Sequence, residues 1–525
     1  MLDSDRDRPR SSTSRQAVHL SPCLLALLAS AALAALASAE APGAAAGTVA
    51  ALVRAGSISG RVVPPPGGHP ALQLFLEDVM TSRVVLVPLE PGQLSYAAEV
   101  PAGSYHAYTW LPGFELMGGH TACHEDAPCS DHALLSIPIE EGSSVEGADI
   151  ADWHVPELPL LTLSGRLVDG TGADPIEDGV VVIWDQHIMA VGPASELAVL
   201  PDARHYPLPG TTILPGFINT HVHNAYAVAN LRTWASAGVT TVRDLGAPLG
   251  FPWAQLRAFL GTDPRNARIL AAGHLVTCPG GYPIAGNDFP SVTVSTEDEA
   301  RQEINELLDQ GADVVKIVIE SGIGELLSEE LAAVIVDTAH ARGVPVTVHL
   351  TMESDLETAL DAGVDDIAHI ALDYVPGDVI ERMVEDDVAW VPTLEALEGW
   401  GSQMFDNLRR FKAAGGRVAM GNDSGYLEDL TIGMPVEELE LLGDSGMSPM
   451  AIIVAATGDA AVVCHRQDLI GTLAPGRLAD ILVVDGDPLV DLRALEAARM
   501  VIHEGQVIRF EPPPPRRPQG RPVRP

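Results

Sequence analysis

The distribution of apolar and polar positions divides the chain into three kinds of segment. Short apolar runs broken by proline and glycine fill residues 56–155 and predict an all-β sandwich. Similar runs in residues 156–212 and 474–510 predict one small composite β domain built from both segments. Between them, residues 213–473 alternate strand-like apolar runs with helix-like amphipathic runs.

The central segment carries enough strand signals to form a barrel. Its eight candidate strands are residues 213–223, 240–245, 267–272, 313–319, 344–350, 365–370, 390–394 and 417–423. Helix signals separate several of them, with Thr296 and Ser328 as candidate N-caps. The predicted fold class is therefore α/β: a (β/α)8 TIM-like barrel with a composite β-sandwich domain and an extra N-terminal all-β sandwich.

Both ends of the chain differ in composition from the rest. An arginine-containing stretch, an apolar run at residues 24–36 and the small residues Ala37-Ser38-Ala39 predict a signal peptide over residues 1–39. The apolar run is too short for a comfortable membrane span, so we expect an exported protein, periplasmic or extracellular. Residues 40–55 are predicted to be a linker, and the proline- and arginine-rich residues 511–525 a disordered tail.

The charge and the cysteines restrict the partners further. A net charge of −40 argues against nucleic acid and against anionic membranes as partners. A small-molecule substrate is the partner that the enzyme hypothesis below implies, and homo-oligomerisation stays open. Export would permit a disulfide between Cys123 and Cys129, although spacing alone does not establish it. We expect Cys278 and Cys464 to be buried free thiols.

Two histidines at the end of the first central strand point to a metal. His221 and His223 are two residues apart, and such residues point to the same face of a β-strand. Both imidazoles can therefore reach one ion. Two histidines on the solvated face of an edge strand would produce the same pattern, so the pair alone does not establish a metal site.

Lys316 is unusual because the chain has only one other lysine, Lys412. It lies within an apolar run that predicts a buried strand, where an unpaired ammonium tends to lose its proton. A neutral amine can react with carbon dioxide to form a carbamate, which offers oxygen ligands to two metals. The alternative is a lysine near a strand end that is ion-paired or extends its amine to solvent.

Several residues that could bind metal fall at or near the ends of predicted strands, where barrel active sites lie. They are His221, His223, Lys316, His349, His369 and Asp423. Each of them alone could be an ordinary structural residue. Together they predict one metal centre, and imidazole and carboxylate ligands suit zinc and related ions.

Two motifs resemble those of the amidohydrolase superfamily. The sequence LPGFINTHVH at residues 214–223 is similar to its first-strand motif, and residues 457–480 are similar to its C-terminal signature. Lys316 together with TTVRD at residues 240–244 looks most like the imidazolonepropionase-like and Xaa-Pro dipeptidase-like subgroup. Separately, VPAGSY at residues 100–105 resembles a turn of carboxypeptidase-regulatory-like β-sandwiches.

The resemblance implies a binuclear site with two divalent metal ions, zinc being the expected metal. His221, His223 and Asp423 would hold the more buried ion, and His349 and His369 the second. A carbon dioxide-derived carbamate on Lys316 would bridge them. A hydroxide shared by the ions would attack the substrate carbonyl, with Asp423 as base and then acid.

The expected function is an exported binuclear hydrolase of amide or peptide bonds, acting on dipeptides or N-acyl amino acids. Tyr226, Arg243 and Tyr282 are the expected substrate contacts, although Arg243 could equally be an ion-pair partner. A cyclic amidase or lactonase would use the same site. A non-catalytic scaffold barrel and a carbohydrate- or wall-binding N-terminal sandwich are the alternatives from other functional classes.

Overall fold

The computed structural model describes residues 55–65, 67–123, 131–156, 160–197, 203–287, 289–426 and 429–512. The predicted signal peptide lies outside the described residues, as do residues 40–54 of the predicted linker and 513–525 of the predicted tail. Within the described part of the chain, no helix is both long enough and apolar enough to cross a membrane.

The N-terminal β region, defined here as residues 55–156, contains two sheets. Its strands are β1 (Gly56–Arg61), β2 (Leu72–Asp78), β3 (Val84–Leu89), β4 (Ser95–Val100), β5 (Gly103–Trp110), β6 (Met117–Gly119), β7 (Ile137–Ile139), β8 (Ser144–Glu146) and β9 (Asp152–His154). One sheet has the order β4-β1-β8, and the other has the order β3-β2-β5-β6-β9 with β7 also pairing with β5. Buried Ile58, Leu74 and Tyr105 belong to one core cluster of this region.

Segments that are far apart in the sequence share the next sheet. Its strands are β10 (Leu161–Leu167), β11 (Ile176–Trp184), β12 (His187–Pro193), β13 (Arg204–Pro215), β23 (Ile481–Asp485), β24 (Ala498–His503) and β25 (Gln506–Phe510). They run in the order β12-β11-β10-β13-β23-β24-β25, with Ile213 of β13 opposite Val483 of β23. Apolar side chains from both segments, including Leu163 and Ile502, are buried in one cluster.

The remaining strands are parallel and lie between β13 and β23 in the chain. They are β14 (Phe217–Val222), β15 (Val239–Asp244), β16 (Arg268–Ala271), β17 (Val276–Thr277), β18 (Val292–Thr293), β19 (Val315–Val318), β20 (Val346–His349), β21 (Asp366–Ala368) and β22 (Ala389–Val391). They form a sheet β14-β15-β16 and a sheet β18-β17-β19-β20-β21-β22. Backbone hydrogen bonds connect the two at both edges. Asp313 N, just before β19, donates to Ala271 O of β16. At the other edge the segment around Ala419 lies between the sheets: Ala419 N donates to Trp390 O of β22, and Thr220 N of β14 donates to Met420 O.

Helices separate many of these strands. They are α1 (Val228–Ala237), α2 (Trp253–Leu260), α3 (Ile284–Asn287), α4 (Glu297–Asp309), α5 (Glu329–His340), α6 (Glu353–Ala362), α7 (Gly377–Glu385), α8 (Gln403–Ala413), α9 (Val436–Asp444), α10 (Pro449–Ala455) and α11 (Gly458–Val463), with a 3-10 helix at Leu492–Glu496. The predicted caps are confirmed, since the Thr296 and Ser328 hydroxyls accept hydrogen bonds from backbone amides in the first turns of α4 and α5.

Two of the eight predicted barrel strands need correction. The first, residues 213–223, is divided at Gly216: residues 213–215 belong to β13, and the rest forms β14. The last, residues 417–423, forms one isolated bridge, at Val418, rather than a regular strand, and a second bridge follows at Ser424. The described residues therefore form two linked parallel sheets, without a continuous eight-stranded ladder.

The described cysteines include two free thiols and one half of a disulfide. Cys278 and Cys464 are buried free thiols, which confirms that prediction. Cys123 is disulfide-bonded. Cys129, its predicted partner, lies outside the described residues, so that pairing stays a prediction.

Glu438, on α9, gives the fold a predictable pH dependence. Its buried carboxylate accepts a hydrogen bond from Glu395 N at 2.7 Å, and burial raises its pKa to about 8. An unfolded glutamate has a pKa of about 4.3. Because the folded state holds this proton more tightly, its stabilising contribution is complete below about pH 4.3 and is lost as pH rises through about 8.

Glu438→Gln should therefore stabilise the protein at high pH. The amide keeps an acceptor and removes the buried charge, so we expect the free energy of unfolding to rise by on the order of 3 kcal/mol at pH 8.5 and far less at pH 5. Thermal melts at both pH values measure this, with the exposed neighbour Glu437→Gln as control. Equal effects of the Glu438 substitution at both pH values would contradict the prediction.

Candidate active site

Asp423 and the two histidines at the end of β14 meet at one point. Asp423 Oδ1 lies 3.2 Å from His221 Nε2 and 3.0 Å from His223 Nε2. The three side chains offer ligand atoms that all lie within 4.8 Å of one another, which suits a metal ion. The structure thus brings together the residues that the sequence assigned to the more buried ion.

Two glycines allow the segment that carries Asp423 to lie directly against β14. A Cβ on Gly421 would be 2.8 Å from His221 Cβ, and a Cβ on Gly425 would be 1.9 Å from His223 O. Gly425 also has a φ of +103°, a conformation that side chains disfavour. Asp423 itself has a φ of +59°, so its backbone turns away from an extended strand here.

Gly425→Ala should therefore disrupt the site. The added methyl group overlaps the His223 carbonyl, so we expect Tm to fall by several degrees and the metal affinity to drop. Gly415→Ala is the matched control because Gly415 also has a positive φ but has open space around its Cβ position. Differential scanning calorimetry with metal titration compares them, and an equal effect of both substitutions would exclude the steric explanation.

Two more histidines face the first pair. His349 ends β20, and His369 follows β21 with a φ of +91°. The His369 ring centroid lies 4.6 Å from that of His349 and 4.7 Å from that of His221. His369 Nδ1 is 2.8 Å from Thr393 Oγ1, a contact that fixes the ring and leaves Nε2 for a ligand.

Burial keeps most of these imidazoles neutral. It lowers the pKa of His221, His349 and His369 well below the ordinary histidine value. For His223, burial also acts to lower the pKa, but the hydrogen bond and the charge of Asp423 outweigh it and raise the value. Neutral imidazole is the form that binds metals.

Lys316 lies on β19 beneath these histidines and is 2% exposed. Among the described residues, its Nζ has no hydrogen-bond partner. Burial lowers its pKa to about 7, so the neutral amine is readily formed near neutral pH. The ion-paired alternative considered from the sequence therefore does not describe this lysine.

A cavity of about 360 Å³ opens above the cluster. His221, His223, Lys316, His349, His369 and Asp423 all line it. Its remaining walls are mainly apolar or aromatic and include Leu275, Phe289, Ile323, Leu372, Leu397, Trp400 and Tyr426. Among the described lining residues, Lys316 is the only lysine and there is no arginine.

The three expected substrate contacts lie in different places. Tyr282 lines the cavity and stacks on His349 with ring centroids 4.7 Å apart. Tyr226 does not line it and packs against Phe251 in the core. Arg243 is 1% exposed and forms two 2.8 Å hydrogen bonds to Asp366, so it is an ion-pair partner rather than a substrate contact.

Glu320 is a site residue that the sequence reasoning missed. Its carboxylate lines the cavity, lies 3.6 Å from His349 Nε2 and accepts a hydrogen bond from Thr351 Oγ1 at 2.8 Å. It follows the apolar run of the fourth predicted strand directly. A search for every carboxylate at a strand end would have found it.

The chain is similar to known proteins over its central and C-terminal parts. Residues 212–508 match the profile of the Amidohydrolase family. An enamidase from Eubacterium barkeri is 26% identical, with 61% of this chain and 85% of the relative covered. An ochratoxinase from Aspergillus niger is 22% identical, with 65% and 84% covered.

Several solved structures are similar to the fold of this chain. A Bifidobacterium longum structure described as a candidate prolidase is 28% identical, with a TM-score of 0.59 and with 67% of this chain and 95% of that chain covered. A Xaa-Pro dipeptidase with bound methionine is 23% identical and has a TM-score of 0.59, with 66% and 99% covered. These similarities indicate a TIM-barrel-plus-β-domain fold.

Proposed function

Because the chain belongs to the amidohydrolase family and is a hydrolase of carbon–nitrogen bonds, we propose a binuclear metalloenzyme that cleaves amides of apolar and aromatic groups. N-acyl amino acids and dipeptides with such side chains are the first substrate class. The observation that carries the proposal is the Lys316 amine, which has no hydrogen-bond partner among the described residues and is buried below four histidines and Asp423 at the cavity floor.

The donor set fits two divalent cations. His221, His223 and Asp423 would hold one cation, and His349 and His369 the other. The buried Lys316 nitrogen has no hydrogen-bond partner among the described residues. A carbamate formed on it would supply an anionic oxygen ligand to the cations. When bound, the cations would polarise the scissile carbonyl and lower the pKa of a water molecule. Zinc is the proposed metal because imidazole and carboxylate suit it.

Asp423 is the proposed proton carrier. Its side chain is 18% exposed at the cavity floor, beside both histidines of the β14 end. Its carboxylate would accept the proton of the attacking water and return it to the departing nitrogen. The left-handed backbone at Asp423 and the close contacts of Gly421 and Gly425 fix this carboxylate in position.

The cavity walls support the preference for apolar substrates. Phe289, Leu372, Leu397 and Trp400 would contact the part of the substrate beyond the amide and exclude water from the reacting groups. The similarity to proteins named as an enamidase and an ochratoxinase supports the proposal of amide cleavage. Export by the predicted signal peptide remains part of the proposal.

Trp400→Ala should weaken the binding of aromatic substrates. Trp400 lines the cavity but is 71% exposed, so its removal should leave the fold intact. We expect KM for an aromatic N-acyl substrate to rise about fivefold to tenfold, as loss of roughly 1 kcal/mol of apolar contact predicts, with little change in kcat. Tyr374→Ala is the control, an exposed aromatic outside the cavity. An unchanged KM would remove Trp400 from the substrate site.

The proposal is tested by amine release from a substrate panel. The chain from residue 40 onward, supplied with zinc and bicarbonate, would be offered dipeptides, N-acyl amino acids, cyclic amides and lactones. We expect turnover of linear amides, fastest with aromatic side chains. Turnover of lactones or cyclic amides alone would contradict the substrate class. Absence of both turnover and bound metal would contradict the hydrolase mechanism.

A further inference from the structure

Glu320 is a buried carboxylate in the cavity wall that the proposed mechanism does not use. It follows β19 in the chain, is 4% exposed and lines the cavity. Among the described lining residues, Asp423 is the only other carboxylate, and it is already the proposed ligand and proton carrier. Burying a carboxylate is costly unless hydrogen bonds or an opposite charge compensate for it. The groups around Glu320 therefore indicate what it could bind.

Neighbouring residues hold the Glu320 carboxylate in one orientation. Oε2 accepts a hydrogen bond from Thr351 Oγ1 at 2.8 Å, and Oε1 accepts one from Gly322 N at 3.2 Å. Ser321, between Glu320 and Gly322, is fixed in turn because its backbone N and its hydroxyl both donate to Asp355 of α6. The carboxylate is therefore oriented before any ligand arrives, as a specific binding site requires.

These contacts leave the carboxylate able to bind a positive charge. Each oxygen accepts one hydrogen bond from a described residue, whereas an ionised carboxylate offers about four acceptor positions. Both donors are neutral, so they do not compensate the charge. Among the described residues its ion-pair candidate is His349, whose Nε2 is 3.6 Å away, beyond hydrogen-bond distance. An ammonium group, which has three donors and a full positive charge, matches the remaining acceptor positions.

We propose that Glu320 binds a substrate ammonium group on the carbon next to the scissile carbonyl. This role rests on the proposed amidase function and narrows its substrate class. Glu320 lies beside His349, one of the proposed metal ligands, so a group bound to its carboxylate lies close to the reacting carbonyl. In a dipeptide or another aminoacyl amide the free α-ammonium occupies that position, whereas a simple N-acyl amino acid has hydrogen or alkyl there. Aminoacyl amides with a free amino group should therefore be preferred over N-acyl amino acids.

Glu320→Gln and a matched pair of substrates test this role. Phenylalanyl-alanine and N-(3-phenylpropanoyl)-alanine differ only in the ammonium group. We expect the wild type to favour the dipeptide about tenfold to a hundredfold, through KM, and Glu320→Gln to lose that preference. Misfolding would lower turnover of both substrates and leave their ratio unchanged. Glu325→Gln is the control, an exposed glutamate of the same loop that does not line the cavity. An unchanged ratio in Glu320→Gln would overturn the role of Glu320 and leave the amidase function standing.

Binding of uncleavable probes separates this role from the amidase function. L-phenylalaninol and 3-phenylpropan-1-ol have no amide bond and differ in one ammonium group, so calorimetric titration of the zinc-loaded protein measures the ammonium contact. We expect the wild type to bind L-phenylalaninol about tenfold more tightly or better, and Glu320→Gln to bind both probes equally. That result without turnover of either substrate would support the ammonium site and contradict the amidase function. Equal binding of both probes by the wild type, or a preference that Glu320→Gln retains, would overturn the role of Glu320.

Discussion

Asp423→Asn should lower kcat for amide hydrolysis by about 10³–10⁴-fold at saturating zinc. The amide is close in size to the carboxylate, but it can neither accept the proton of water nor return it to nitrogen. In the metal-free protein the substitution also removes the charge that raises the pKa of His223, so that pKa should fall. Steady-state kinetics and zinc content would be measured on the same preparation.

Asp361→Asn is the matched control for this substitution. Asp361 is an exposed carboxylate near the end of α6 that pairs with Arg382. It does not line the cavity. We expect its kcat and zinc content to equal those of the wild type. Activity of Asp423→Asn within tenfold of the wild type, with both cations bound, would exclude Asp423 as the proton carrier.

Lys316→Met should prevent loading of the cavity with two metal ions and abolish activity, without destabilising the metal-free protein. Methionine has a similar length and is apolar, so it removes a buried nitrogen that has no described hydrogen-bond partner. Leaving such a group unsatisfied costs about 1–3 kcal/mol, so we expect Tm of the metal-free variant to equal or exceed that of the wild type. The bound zinc should fall below two equivalents per cavity, and kcat should become undetectable.

Two further substitutions separate a role of Lys316 as a source of an oxygen ligand from the effect of removing a lysine charge. Lys316→Glu restores an oxygen ligand and should recover part of the zinc content. Lys412→Met removes the only other lysine, whose Nζ donates to Gly416 O, and should leave the zinc content unchanged. Zinc content and calorimetric Tm would be measured for all variants. Full zinc loading of Lys316→Met, or a lower Tm of its metal-free form, would show that Lys316 serves the fold rather than the metals.

The sequence predicts best those site residues that stand at the ends of strands, because strands are visible as local apolar runs. The ends of parallel strands meet at one edge, so locating the strand ends is enough to bring His221, Lys316, His349 and His369 into one cavity, even though the first strand is divided at Gly216. Asp423 was also placed there, although its segment is not a regular strand, because its backbone still follows β14 through hydrogen bonds to residues 221–223.

The errors concern features that depend on distant parts of the chain. The sequence left Arg243 open as a substrate contact or an ion-pair partner because Asp366, its partner, lies 123 positions away in the sequence. The division of residues 213–223 at Gly216 occurs where one sheet ends and another begins, which the continuous apolar run does not reveal. The three-residue strands β6, β8 and β9 were not predicted because they are too short to show a period.

Anomalous X-ray diffraction from crystals grown with zinc and bicarbonate would test the binuclear centre most directly. We expect two zinc peaks at the cavity floor, one beside His221, His223 and Asp423 and the other beside His349 and His369. Additional density should extend from Lys316 Nζ toward both. A cavity with one peak or none, and an unmodified Lys316, would contradict the binuclear mechanism.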